Sequence, residues 1–181
     1  MQNRQELFLK LFEPNQDRLW RFCLSISRNN DDAKELLSET IYQAYLGFDK
    51  VKSDSAFLSY LFTIASRNNY KKIKNSQKIT FISDDYDNLE GSWDSPEQLL
   101  EAKEIYLALD KLPIEQKEVI ILFDIMGFSR TEICEIQNIS MEGLKSRLYR
   151  GRKKLSEILE LESNYNLIEK NQSLSISKSA I

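Results

Sequence analysis

The chain has 181 residues, with 25 Lys plus Arg against 28 Asp plus Glu, so its formal net charge of −3 provides no long-range attraction to a polyanion. A composition of 41% hydrophobic and 29% charged residues fits an ordinary globular chain of one or two domains, and five Gly with three Pro disfavour a turn-rich all-β fold. There is no histidine, which excludes Ser-His-Asp, Cys-His and histidine-ligated zinc chemistry.

The opening stretch MQNRQELFLKLFEPNQ lacks a basic start followed by an apolar run, and apolar runs such as residues 119–123 are too short to span a bilayer. A cytoplasmic protein is therefore expected. Leu7, Phe8, Leu11 and Phe12, then Leu19, Trp20, Cys23 and Leu24, recur at helical spacing on either side of Pro14. Cys23 and Cys134 each sit in an apolar helical pattern and read as small hydrophobes, not as a disulfide. The next helix is expected to start with Asp32 as its cap, with Glu35 reaching back as in a capping box, and to run to about Phe48. Its inward stripe would be Ala33, Leu37, Ile41, Ala44 and Phe48. Leu36, Tyr42 and Leu46 then lie outside among Asp32, Glu35 and Glu39, an apolar and acidic face suited to a docked partner. After a polar loop over 49–55, a third helix carries Phe57, Leu61, Ile64 and Ala65 on one side and ends in the basic run KKIK at 71–74. Residues 1–74 thus read as a three-helix unit.

Residues 75–98 hold one Lys against six acids and no helical period, so they read as an acidic linker, with ITFIS (79–83) as its one strand-like piece. Asp84, Asp85 and Asp87 would be the only place to imagine a metal-dependent nuclease. An acidic cluster in a polar linker is usually just solvated, so no metal, cofactor or catalytic residue is expected. Ser95-Pro96-Glu97-Gln98 announces the next helix, with Leu99, Leu100, Ala102, Ile105 and Leu109 inward. Pro113 opens another, whose face is Val119, Ile120, Leu122 and Phe123 and which Gly127 ends. Residues 99–163 form the second domain, and the polar, aperiodic stretch 164–181 reads as a disordered tail.

Within the second domain Ser129-Arg130-Thr131-Glu132 is a capping box, Gln137-Asn138-Ile139 a tight turn, and Ser140 the cap of a second helix running to about Leu159. Met141, Leu144, Leu148, Gly151 and Leu155 share one stripe of that helix, leaving Lys145, Ser146, Tyr149, Arg150 and Lys153 opposite. Residues 145–154 carry six cations and no acid. A cationic, hydrogen-bonding helix behind a short helix and a tight turn has the geometry to enter a major groove, with flanking cations on phosphates.

These residues carry a family resemblance. LPIEQKEVIILFDIMGFSRTEICEIQNISMEGLKSRLYRGRKKL, residues 112–155, resembles region four of bacterial sigma factors, especially the extracytoplasmic-function (ECF) group, through Leu112-Pro113, Gly127-Phe128-Ser129, Glu132-Ile133, Ile139-Ser140 and residues 145–150. NDDAKELLSETIYQAY, residues 30–45, and the segment 48–75 are similar to sigma region two. The resemblance implies an all-α protein of two small helical domains joined by the acidic linker, without the middle domain of larger sigma factors. It implies that Lys145, Ser146, Tyr149 and Arg150 read the minus-thirty-five promoter element, with Arg147 near phosphate. Asp32, Glu35, Leu36 and Glu39 would grip the clamp of the largest RNA polymerase subunit, the flap being a second contact. Tyr60, where the family usually has tryptophan, together with Arg67, Lys71, Lys72 and Lys74, would capture the melted minus-ten element, for which aromatics beside cations are the right chemistry. The implied function is a sigma factor that brings core polymerase to promoter DNA and helps open it, with an anti-sigma factor as a further possible partner. The alternative is an autonomous helix-turn-helix regulator that binds duplex DNA without polymerase.

Overall fold

The computed structural model describes residues 3–27, 29–51, 53–75 and 96–178, and among them the backbone is helical throughout, with turns between. The expected strand at 79–83 and the Ser95 cap lie outside the described residues. Helix α1 (Arg4–Phe12) is capped by Asn3 and Glu6 in a reciprocal box and passes through a tight turn containing Pro14 into α2 (Gln16–Ile26). Helices α3 (Asn30–Leu46) and α4 (Phe57–Asn75) complete the amino-terminal unit. Phe8, Phe12, Phe48 and Phe57 close one end of it, with Phe8 edge-on to Phe48 at 5.3 Å and to Phe57 at 5.5 Å. The second unit is α5 (Pro96–Asp110), α6 (Ile114–Ile120), α7 (Arg130–Gln137) and α8 (Met141–Lys178).

The carboxy-terminal pair of helices folds for the reasons its sequence announces. Ser129 and Glu132 form the expected capping box at the start of α7, and Asn138 leaves it in the left-handed conformation, φ 51° and ψ 53°, which asparagine tolerates through local hydrogen bonding. The Ser140 hydroxyl accepts from the Gly143 amide at 3.1 Å to start α8. Helix α6 ends in a widened π turn over Ile121–Ile125, where the Met126 amide donates to the Ile121 carbonyl five residues back, and Gly127 turns the chain at φ 72°. Leu144 and Leu148 are buried as expected, and the bare backbone of Gly151 lets α8 lie against Ile120 and Gln116 of α6.

Several expectations about faces and boundaries need correction. Helix α3 starts three residues earlier than read from the sequence: Asn29 is the cap, its side chain accepting from the Asp32 amide at 2.8 Å, which frees Asp32 for another role. Leu36 is buried at 4% exposure together with Ala33, Thr40 and Ala44, because α3 is packed by both α2 and α4, and their combined contact centres on the 33-36-40-44 line. On α5, Ala102 and Leu109 are buried as expected, but Leu100 and Ile105 are exposed and Ala108 is buried in their place. Helix α8 continues to Lys178 where a tail without periodicity was expected; no Gly or Pro follows Gly151 to stop it.

The two units also share a core. Phe62 of α4 stacks on Phe22 of α2 at 4.6 Å and meets Phe128, in the loop before α7, at 4.8 Å. All the large side chains around these rings belong to one continuous buried cluster.

Candidate functional site

Helix α8 presents its cationic side outward. Lys145, Ser146, Tyr149 and Arg150 are exposed, Tyr149 to 70%, on the face opposite Leu144 and Leu148. Arg150 is braced along the helix, its Nε donating to the Ser146 carbonyl at 3.3 Å. Arg152 is held away from that face: its guanidinium pairs in a fork with Asp124 and lies 5.3 Å over the Phe123 ring. Arg147 is half-buried and faces the amino-terminal unit, lining a cleft with Arg67 and Lys71.

On the amino-terminal unit, Arg67, Lys71 and Lys74 are exposed along the last turns of α4. Lys72 is different. Its ammonium pairs with Asp32 at 2.7 Å and also with Glu35, so two acids from the face expected to grip a partner neutralise one cation from the surface expected to hold DNA. Those carboxylates raise its pKa against the opposing effect of burial. Glu39 remains exposed with Tyr42 at 61% and Leu46 at 57%, so the outer face of α3 is apolar and acidic even with Leu36 removed from it. Tyr60 is half-buried, its ring tilted against Phe57 at 6.5 Å and its hydroxyl donating to the Ala44 carbonyl at 3.3 Å. That hydroxyl lies over Gly47, where any β-carbon would collide with it.

The contact between the units rests on polar residues that pattern-reading passed over. Glu118 of α6 is 3% exposed, and both its oxygens are engaged: Gln137 of α7 donates to one at 2.6 Å, and Asn69 of α4 to the other at 3.3 Å. The same Gln137 amide reaches Ser66 of α4 at 3.1 Å, and Asn69 reaches the Ile26 carbonyl at 3.3 Å. Burial pushes the Glu118 carboxyl up from its ordinary value, and the amide and hydroxyl donors only partly oppose this. Arg18 of α2 adds a second tie, donating to the Met126 carbonyl at 2.6 Å with its guanidinium 4.5 Å over the Phe128 ring. A signal for this was present: Leu61, Ala65 and Asn69 are four residues apart on one helix face, and Glu118 directly precedes the apolar Val119 and Ile120. A polar residue in register with a buried stripe announces a buried partner.

Among the described residues no group of His, Cys, Asp and Glu side chains could hold a metal ion, and no helix is long and apolar enough to cross a membrane. Cys23 and Cys134 are both free, and burial pushes the Cys23 thiol up to about 12, so it is inert packing.

Comparison with known proteins agrees with this layout. Residues 11–79 match the family model for sigma-70 region 2, and residues 102–155 that for sigma-70, region 4. The ECF RNA polymerase sigma factor EcfG of Rhodopseudomonas palustris is 33% identical over 144 residues, which cover 78% of each chain. RNA polymerase sigma factor SigV of Bacillus subtilis is 26% identical, over 84% of this chain and 90% of the relative. Among solved structures, the sigma factor RpoE of Bartonella quintana, crystallised with the anti-sigma factor NepR, superposes with a TM-score of 0.70 at 26% identity, covering 84% of this chain and 96% of that one.

Proposed function

Because this chain belongs to the ECF group of bacterial RNA polymerase sigma factors, we propose that its two outward surfaces divide the work of initiation, α8 reading duplex promoter DNA and α4 holding the melted strand. It binds core RNA polymerase and promoter DNA and catalyses no reaction itself. The observation that carries the division is the exposed set Lys145, Ser146, Tyr149 and Arg150, rigidly mounted on a helix whose opposite side is buried against α6 and α7. Hydrogen-bonding side chains on a rigid helix suit base edges in the major groove, and Lys and Arg suit phosphates.

Arg67, Lys71 and Lys74 supply the backbone charges for single-stranded minus-ten DNA, and Tyr60 the aromatic at its rim. Lys72 contributes there only when polymerase draws Asp32 and Glu35 away from it. Glu35 and Glu39, with Tyr42 and Leu46, form the polymerase-clamp face, with Asp32 at its edge, and Leu36 supports that face from beneath. The flap of the polymerase takes the carboxy-terminal unit. The protein acts in the cytoplasm, where an anti-sigma factor is a natural restraint, as NepR partners RpoE of Bartonella quintana.

Reading both elements at once requires the two units to part. The elements lie about 25 base pairs apart, roughly 85 Å along a duplex at 3.4 Å per step, whereas here α4 and α7 are in contact. The packed arrangement is therefore the free form, and engagement with polymerase and promoter opens it. Run-off transcription with core polymerase tests the reading. Promoter-specific transcripts only when this protein is added are expected; tight duplex binding by the protein alone, with no initiation, would overturn it.

A further inference from the structure

A cleft of about 290 Å³ opens where the two units meet, lined by Arg67, Tyr70 and Lys71 of α4, Glu115 and Glu118 of α6 and Arg147 of α8. Its volume is near the lower end of sites that take small organic ligands, roughly 300–1,000 Å³. Some cations elsewhere have found a carboxylate: Lys72 has Asp32 and Glu35, Lys117 has Asp110, and Arg152 has Asp124. Arg67, Lys71 and Arg147 have no acid partner among the described residues, although all three line the same recess. Two carboxylates, Glu115 and Glu118, line the recess as well and offset part of this charge, although Glu118 is buried with its oxygens held by Gln137 and Asn69 and forms no ion pair with the three cations. Three cations against two carboxylates around one concave surface leave an excess of positive charge there, so an anion of matching size is favoured.

We propose that this cleft binds a nucleotide, of the class of nucleoside diphosphates, whose phosphates lie between Arg147 of one unit and Arg67 and Lys71 of the other. Guanidinium groups take phosphate oxygens in a bidentate fork, and the Lys71 ammonium adds a point charge. Tyr70 is 47% exposed, leaving a ring face for the base. The half-buried Glu115 carboxylate can accept from a ribose hydroxyl, a donor that inorganic phosphates lack. A ligand bridging the two units favours the packed arrangement by RT ln(1 + L/Kd), where L is the free ligand concentration, since the site exists only when they touch. It also withdraws from DNA three of the cations assigned to promoter contact, and this last consequence alone rests on the functional reading above.

The test is calorimetric titration of the full-length protein, at physiological ionic strength, with ADP, GDP and inorganic pyrophosphate in separate arms. Saturable one-to-one binding of either nucleotide is expected, at least about tenfold tighter than pyrophosphate. Arg147→Ala should weaken it about tenfold or more, and Tyr70→Ala should weaken the nucleotide while leaving pyrophosphate unchanged. Circular dichroism melts of both variants confirm that they are folded. No saturable nucleotide binding at millimolar concentration, equal affinity for pyrophosphate, or binding indifferent to Arg147→Ala would each overturn the proposal. Run-off transcription with the same preparation separates the two readings: protein that initiates normally but binds no nucleotide loses this site and keeps its function.

Discussion

The Asn69 amide donates to the Glu118 carboxylate over 3.3 Å, joining α4 of the amino-terminal unit to α6 of the carboxy-terminal one at a point from which water is excluded. A carboxylate there loses its hydration and recovers only part of it from amide donors.

The pH dependence of that contact follows from Glu118. Its pKa in the folded chain lies above the ordinary value of 4.5, so between those two values the folded state binds more protons than the unfolded one. Stability therefore falls as pH rises through this window and is regained as pH falls toward 4.5. Thermal melts of the wild type from neutral pH downward should show this gain against the general acid trend. In Glu118→Gln, which keeps the shape and removes the charge, that component should vanish; an unchanged pH profile would place the titration elsewhere.

Leu36 and Glu39 separate packing from docking on α3. Leu36→Ala empties a buried position and should cost about 2–5 kcal/mol in urea denaturation. Glu39→Ala alters an exposed side chain and should leave stability within about 0.5 kcal/mol while weakening association with core polymerase in a pull-down or fluorescence titration. The reverse pattern would mean that the outer face has been misplaced.

Lys71 and Lys72 are neighbours in sequence with different electrostatic situations. Lys72 is already paired with two acids, whereas Lys71 is exposed and without an acid partner among the described residues. Binding of single-stranded promoter DNA to the holoenzyme, measured against salt, should lose about 0.7 from its logarithmic slope in Lys71→Ala. The loss in Lys72→Ala should be smaller, and equal losses would mean that polymerase fully releases the Asp32 and Glu35 pair.

Arg150 tests the division of labour. It is exposed on the outer side of α8, far around the helix from the buried Leu148. Arg150→Ala should reduce promoter binding by about 1–3 kcal/mol, roughly five- to 150-fold, with core association intact. Parallel loss of both would show that this side chain serves the fold rather than the promoter.

Much of this architecture was legible in the residues themselves. The Ser129–Glu132 capping box, the left-handed Asn138 and the Leu144-Leu148-Gly151 stripe are local features, determined within a turn or two of helix, and each is found where the pattern placed it. The six cations of 145–154 likewise announce a polyanion surface despite the net charge of −3. What the periodicity could not state is which side of a stripe a neighbour covers. On α3, Leu36 and Leu37 differ by one position, and only the joint placement of α2 and α4 chose Leu36 for burial.

The sequence by itself determined the helical content, the two helix-turn segments and the family, because caps, turns and 3.6-residue spacing act over short range. Only the tertiary structure decided that Lys72 answers Asp32 and Glu35, that Arg147 faces Arg67 and Lys71 rather than open solvent, and that Glu118 is buried between two units. Those outcomes depend on charges and donors 37 or more residues apart meeting across helices, and the residue type alone does not say whether an exposed cation will find a carboxylate, a phosphate or water.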